Sequence, residues 1–335
     1  EHSFCYSDSS NNEIQGTNVD EKVRLASVSK LVTSLWAISV YGPMYRFQTI
    51  FYYDSTKKSL HIEGSRDPFM GRRRMQMIIS ELNNRGIFEL DTITFSKNFT
   101  FYPDIEESWA HSTTIAAEGP ISKNQITEDL MAFFNTNKWS TNAWKFYKGN
   151  SSDAAEWGVP MRSQISMSTK QVEFASTTPD LKNAIAYVSS SPPLYRYLKE
   201  MNKYSLNYPA DEIFRGLGGK KHFVNFWQNY LKFDINKIQM TTGSGLPYFD
   251  GDTRLDNWIT CRATLEVVGA LEAAIQKRSA DQGVSLKLSD VILVGGVDPG
   301  TLGATYRSEN IRGSVLAKTG TLNTAVTLAG LLETK

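Results

Sequence analysis

Three short stretches of this chain carry hydroxyls and amines at spacings that chemistry can use. In "VRLASVSKLVTSLWAIS", Ser27 and Lys30 stand three positions apart, which makes them neighbours on a helix surface. At a helix start the serine would also lie where free N–H groups and the positive dipole end favour a developing anion. Such a pair is either a nucleophile with its own base or a helix cap followed by a surface lysine. The same spelling recurs at Ser55-Thr56-Lys57-Lys58, in a polar turn where nothing would shield the lysine from water. Ser205-Leu206-Asn207, taken alone, reads as a cap or turn between helices. Lys318-Thr319-Gly320 lies in a β-branched run; glycine inside a strand often marks the close approach of another backbone or a ligand, and a cation and a hydroxyl stand beside it here. A strand end with a surface lysine is the alternative.

The elements that must position these residues are legible in outline. Val28, Leu31, Val32, Leu35, Trp36 and Ile38 recur at helical spacing and predict a buried helix over 28–40, stopped by "YGP". Before it, "HSFCYSD" and "EKVRLA" read as strand pieces around the turn-rich "SSNNEIQG". A hairpin around Asp54 to Lys58, a helix in "RRMQMIISELNNRGI" closed by Gly86, and a strand at "DTITFS" follow. Residues 111–160 are polar and Trp-rich and predict loops with one helix near "EDLMAFFN". Pro192 and Pro193 open a helix that "YSLNYP" interrupts, Gly216 to Gly219 separate two more, and a long helix is predicted over 257–278. "RGSVLAKTGTLNTAVTLAGLLE" predicts two strands around a Gly-containing turn, with Lys318 on the first. The three motifs thus fall on a helix start, an inter-helix loop and a strand.

In that order, S-x-x-K, S-x-N and K-T-G form the signature shared by serine β-lactamases and penicillin-binding proteins. The flanking text resembles one family closely, the D-alanyl-D-alanine carboxypeptidase/endopeptidases, or low-molecular-mass class C penicillin-binding proteins. "RLASVSKLVTSLWA" is similar to their nucleophile helix, "SSPPLYRYLKEMNKYSLNYPADEIFRGLGG" to the segment of their second motif, and "VLAKTGTLNTAVTLAG" to their lysine strand with its neighbour. "TTGSGLP" and "GGVDPGTLGATY" resemble two stretches that precede that strand, and "LHIEGSRDPFMGRRRMQMIISELNNRGIFELDTITF" resembles the start of the domain inserted after the nucleophile helix.

The resemblance implies an α/β (α+β) penicillin-binding-protein/serine β-lactamase-like transpeptidase fold, an antiparallel sheet flanked by helices, with a catalytic domain of 1–44 and 186–335 and an inserted α+β domain of 45–185. It implies acyl transfer on peptidoglycan stem peptides and cross-links, and covalent binding of β-lactam antibiotics. Ser27 would attack a D-Ala carbonyl, with Lys30, neutral beside the Lys318 cation, taking its proton. Ser205 would relay the proton to the leaving amine, and Asn207 would hold the substrate's peptide amide. The N–H groups of Ser27 and Thr321 would form an oxyanion hole, and Lys318 and Thr319, beside Gly320, would face the substrate carboxylate. No metal or organic cofactor is implied, and peptidoglycan places the work in a periplasm or cell envelope.

Some features depart from the family. Leu206 stands where an acidic or amide residue is usual, and only 178 positions separate Ser27 from Ser205, so the insert should be reduced and the cleft more open, which favours cross-linked substrate. The chain ends fifteen residues after Gly320, ahead of the last strand and closing helix that the resemblance leads one to expect. A β-lactamase would need a further water-activating group that no motif supplies, and a catalytically silent penicillin-binding sensor would follow if Leu206 misplaced Ser205.

Bulk properties name no partner and give no sign of a nucleic-acid arm. Thirty-six basic and thirty-five acidic residues leave a formal charge of +1 without basic tails. Apolar stretches such as Leu31 to Tyr45 break before the roughly 20 residues a membrane span needs, so a soluble protein without an integral span is expected. The first residue is Glu1, compatible with a removed leader. His2, His61, His111 and His222 are scattered without metal spacing. Cys5 and Cys261, the two cysteines, are either two buried thiols, the reading composition favours, or one long-range disulfide of an oxidising compartment.

Overall fold

The computed structural model describes residues 2–8, 13–103, 121–150 and 160–333. The chain divides into two compact units, one holding 2–45 and 193–333 of these residues, the other 46–103 and 121–192.

The first unit opens with the hairpin β1 (Phe4–Ser7) and β2 (Ile14–Thr17) and a short strand β3 (Lys22–Arg24). A single 3-10 turn, Ala26–Val28, leads into α1 (Ser29–Tyr41). The helix therefore starts one residue later than its apolar period suggested, and Ser27 sits in the tighter turn ahead of it. Eleven of the thirteen α1 residues are buried, so packing rather than caps holds the helix. Gly42, with φ of +79°, ends it, a backbone region that glycine enters at little cost.

The second unit is a five-stranded mixed sheet, built from β4 (Gln48–Asp54), β5 (Ser59–Glu63), β6 (Glu89–Phe95), β7 (Ser168–Phe174) and β8 (Ile185–Ser190) in the order β7-β6-β5-β4-β8. Helix α2 (Arg72–Asn84) supplies the crossover that the parallel β5–β6 pair requires, and its buried Met75, Ile79 and Leu82 join the core formed by Leu60, Ile93 and Phe95. In the hairpin turn the Asp54 side chain accepts hydrogen bonds from the Thr56 and Lys57 amides at 2.9 and 3.2 Å. The Trp-rich stretch holds two helices where one was expected: α3 (Lys123–Phe133) covers "EDLMAF", and α4 (Thr141–Gly149) follows, each capped by a serine side chain. Trp139 and Trp144 pack against the core rather than line a loop; the rest of that expectation, 111–120 and 151–159, lies outside the described residues. Because β8 pairs with β4 from Gln48↔Ser190 to Tyr53↔Ile185, residues 186–192 belong to this unit and not to the flanking one, as the 185/186 boundary had it.

The chain returns to the first unit with α5 (Leu194–Tyr204), α6 (Asn207–Gly216) and α7 (Gly219–Asn225). Trp36 of α1 packs on Phe214 and Phe223 with ring centroids 5.4 and 5.7 Å apart, contacts worth on the order of 0.5–1.5 kcal/mol each beyond area burial, which lock α6 and α7 onto α1. Strands β9 (Ile238–Gln239), β10 (Tyr248–Asp250), β11 (Thr253–Leu255) and β12 (Trp258–Thr260) precede the long helix α8 (Cys261–Asp281). The expected helix start at 257 is displaced because Trp258–Thr260 pairs with β3 and β9, and the Thr260 hydroxyl caps the Ala263 amide at 3.2 Å. The last sheet is antiparallel, β13 (Leu293–Val294), β14 (Val315–Leu322) and β15 (Ala325–Leu332). Its turn is Asn323-Thr324, since Leu322 pairs with Ala325, and Gly320 lies inside β14 rather than in the turn.

Cys5 and Cys261 are joined in a disulfide with a Cα–Cα distance of 5.9 Å, which corrects the reading of two buried thiols. The hairpin reaches the start of α8, where Arg262 donates its amide to the Val19 carbonyl at 3.1 Å and pairs with Asp20, so tertiary contacts bring the sulfurs together across 256 positions. Closing so long a loop stabilises by on the order of 5–6 kcal/mol in the chain-entropy account. Among the described residues, no helix is long and apolar enough to cross a membrane.

Candidate active site

The 3-10 turn that carries Ser27 is held under strain. Ala26, fully buried, has φ of +46°, a left-handed conformation that costs a non-glycine residue roughly 1–2 kcal/mol. Neighbouring backbone sustains it. The Ala26 carbonyl lies so near Gly245 that a Cβ there would stand 1.8 Å from it, and Gly245 itself has φ of +87°. From the other side β14 crosses the turn: a Cβ on Gly320 would lie 2.9 Å from the Ser27 nitrogen, 2.9 Å from the Leu25 carbonyl and 2.3 Å from Thr327 Oγ1. The glycine of K-T-G thus marks a close approach of two backbones, as its place inside a strand suggested.

One helical turn after Ser27, Lys30 is completely buried. Its Nζ is bonded to three oxygens: Ser27 Oγ at 2.9 Å, Asn207 Oδ1 at 2.8 Å and the Ser244 carbonyl at 3.0 Å. Burial pushes its pKa well below the ordinary lysine value, and the charge of Lys318 pushes it further. Lys30 also stands at the second position of α1, where the helix dipole disfavours a cation. A neutral amine has two N–H groups and one lone pair. The ammonium form donates to Ser27; in the neutral form the amide and carbonyl oxygens, which can only accept, take the two N–H groups and leave the lone pair for the Ser27 hydroxyl. That is the arrangement of a base on its nucleophile. The decoy shows the contrast: Lys58 is exposed at the hairpin turn and pairs with Glu89, which raises its pKa.

Ser205 occupies the C-cap of α5 with φ of +58°, and only Ser205 and Leu206 separate α5 from α6. The "YSLNYP" segment is therefore a two-residue kink and not a loop, and Asn207 is the first residue of α6. Pro209 fits there because the first helical turn needs no bonded N–H. Leu206 is 5% exposed; its side chain joins the core, so the departure from the family's polar residue leaves Ser205 and Asn207 where the kink puts them. Lys318, also completely buried, donates to Ser205 Oγ at 2.9 Å and to the Thr319 carbonyl at 2.6 Å. Burial lowers its pKa to about 7. Thr319 is half-buried and Thr321 exposed. Among the described residues, β14 beyond Ala317 has only β15 as a ladder partner.

The sequence motifs missed three side chains that shape this site. Asn257 and Thr33 fasten the segment 241–246: Asn257 Nδ2 donates to the Thr242 carbonyl at 2.7 Å, its Oδ1 accepts the Thr241 amide at 2.7 Å, and Thr33 Oγ1 donates to the Gly243 carbonyl at 2.8 Å. Asp211 accepts the Ser244 amide at 2.8 Å. The available signal was position, since Asp211 lies four residues after Asn207, on the same face of α6. Among the described residues no group of three His, Cys, Asp or Glu side chains could hold a metal ion.

A strained serine turn with a buried lysine against its hydroxyl, and a second serine–lysine pair joining a helix C-cap to a strand, define a serine acyl-transfer enzyme of penicillin-binding-protein architecture. The model of the D-Ala-D-Ala carboxypeptidase 3 (S13) family matches residues 6–143 and 162–335, and the chain belongs to that family of serine peptidases. Bd3459, a predatory peptidoglycan endopeptidase from Bdellovibrio bacteriovorus, is 31% identical, covers 99% of this chain over 83% of its own, and superposes with a TM-score of 0.86. The same protein acylated by penicillin G, in complex with the immunity protein Bd3460, is 31% identical with a TM-score of 0.82, covering 99% of this chain and 82% of its own. Penicillin binding protein 4 from Haemophilus influenzae shares the fold at 17% identity and a TM-score of 0.63, with 98% and 86% covered. No curated relative matches at significant similarity.

Proposed function

We propose that the chain cuts peptidoglycan cross-links as a DD-endopeptidase through an acyl-enzyme on Ser27, and binds penicillins covalently at the same residue. The observation that carries this is the buried Lys30 amine, bonded to Ser27 Oγ and to two obligate acceptors, which in its neutral form leaves its lone pair to Ser27. Ser27 attacks the carbonyl of a D-Ala residue as Lys30 accepts its proton. Ser205 passes its proton to the departing amine and takes one in turn from Lys318, which donates to it. Water then attacks the ester, freeing the acyl group as a carboxylic acid and returning a proton to Ser27. With Asn207 Oδ1 engaged by Lys30, its Nδ2 is the group that meets the substrate's peptide. The free side of β14 past Ala317 suits an extended stem peptide added as a strand, with the Thr321 and Ser27 amides as oxyanion donors and Lys318 and Thr319 toward the carboxylate. Each such donor is worth about 10²–10³ in rate.

The 31%-identical relative is a peptidoglycan endopeptidase, which supports this specificity over removal of terminal D-Ala. The Cys5–Cys261 disulfide supports work in an oxidising periplasm or cell envelope. The two units of the fold are read as a catalytic domain and an inserted domain. Digestion of purified sacculi tests the specificity: cross-linked dimers should fall and monomeric muropeptides rise, in a benzylpenicillin-sensitive manner. Unchanged dimers with loss of terminal D-Ala would replace the endopeptidase reading with a carboxypeptidase.

A further inference from the structure

Asp211 is 2% exposed, and its carboxylate is met by Ser244: Oδ1 takes the Ser244 amide at 2.8 Å, the Ser244 side chain adds a hydrogen bond to the carboxylate, and Oδ2 has no partner among the described residues. The Ser244 carbonyl, on the other side of the same residue, takes an N–H of Lys30. We infer that Asp211 is a positioning residue of this site, whose buried carboxylate clamps Ser244 so that the Ser244 carbonyl directs the Lys30 amine at Ser27. The inference rests on the acyl-transfer reading of Ser27 and Lys30.

An asparagine could accept one amide equally well, so packing alone does not account for a charged group in a costly place. The charge has a use. Lys30 faces Lys318 from β14 and Asp211 from α6, and Asp211 has Arg215 one turn along its own helix. Burial and Lys318 depress Lys30, and Asp211 acts in the opposite direction. A base pushed too far down accepts protons poorly, and the carboxylate limits that fall. Burial holds Asp211 itself up at about 6. Above that pH it is ionised and favours the ammonium form of Lys30. Removing the charge releases the amine, so the acid limb of acylation moves to lower pH.

The test is the pH dependence of second-order acylation by benzylpenicillin, with thermal unfolding measured alongside. Asp211→Asn, which keeps an oxygen for Ser244, should shift the acid limb down by about one pH unit. Asp211→Ala, which orphans the Ser244 amide, should lower acylation at its optimum by about tenfold or more. A merely structural Asp211 would give the Asn variant an unmoved limb, which overturns the inference. If Asp211→Asn does not fold, Asp211→Glu decides: it keeps the charge but displaces it by a methylene, so a slower reaction with the limb in place is expected, and a wild-type rate contradicts the clamp. Absence of any adduct on the wild-type protein would instead remove the acyl-transfer reading, and this inference with it.

Discussion

Lys30→Met is expected to cut acylation by benzylpenicillin on the order of 10³-fold, the scale of losing a positioned general base. Methionine fills a similar unbranched volume, so packing around α1 should persist. The variant leaves Asn207 Oδ1 and the Ser244 carbonyl without their donor, which costs roughly 1–3 kcal/mol for each orphaned group, but it also removes a fully buried amine whose desolvation opposed folding. Net stability should therefore change little. Stopped mixing with a fluorescent penicillin, followed by thermal unfolding of the same sample, separates the two effects. A near-wild-type rate from a folded variant would show that Ser27 finds its base elsewhere.

Gly320→Ala should be nearly as damaging for a geometric reason. The added Cβ meets the Ser27 nitrogen and the Leu25 carbonyl at 2.9 Å and Thr327 Oγ1 at 2.3 Å. Thr327 can turn away, at the cost of its 2.9 Å bond to the Leu25 carbonyl, but the two backbone atoms cannot. Strand β14 must retreat from the turn, carrying the Thr321 amide with it. Overpacking of this kind costs about 1–3 kcal/mol of stability, and displacement of one oxyanion donor about 10²-fold or more in rate. Adding Thr327→Ala relieves only the side-chain clash, so the double variant should remain slow; recovery of activity would place the constraint in Thr327 and not in the Ser27 turn.

How much of this was legible before the fold was known follows from the range of the interactions. Residues three apart on a helix, a β-branched run and a glycine-closed helix are local, and they placed Ser27, Lys30, Lys318 and most elements within a residue or two. What decides between Lys30 and its decoy Lys58 is not local: both follow a serine by three, and only burial under α6 and the 241–246 segment makes one a buried amine against a hydroxyl while the other stays a surface cation. The Cys5–Cys261 bridge spans 256 positions and depends on a hairpin meeting a helix start, which composition does not encode. Ser244 meets Lys30 through its carbonyl, so no side-chain motif advertises it, and Asp211 acts through it. The start of α8 was misread for the opposite reason: Trp258–Thr260 continues the apolar text of the helix, and a sheet partner claims those residues instead.

The central claim is that Ser27 is the nucleophile, and intact mass with peptide mapping after incubation with benzylpenicillin tests it most directly. A single adduct of the antibiotic's mass, mapped to the peptide that carries Ser27 and absent from Ser27→Ala, is the predicted result. A wild-type protein that stays unmodified, or an adduct that persists in Ser27→Ala, would contradict it and return the "SVSK" stretch to a buried helix start without a reaction.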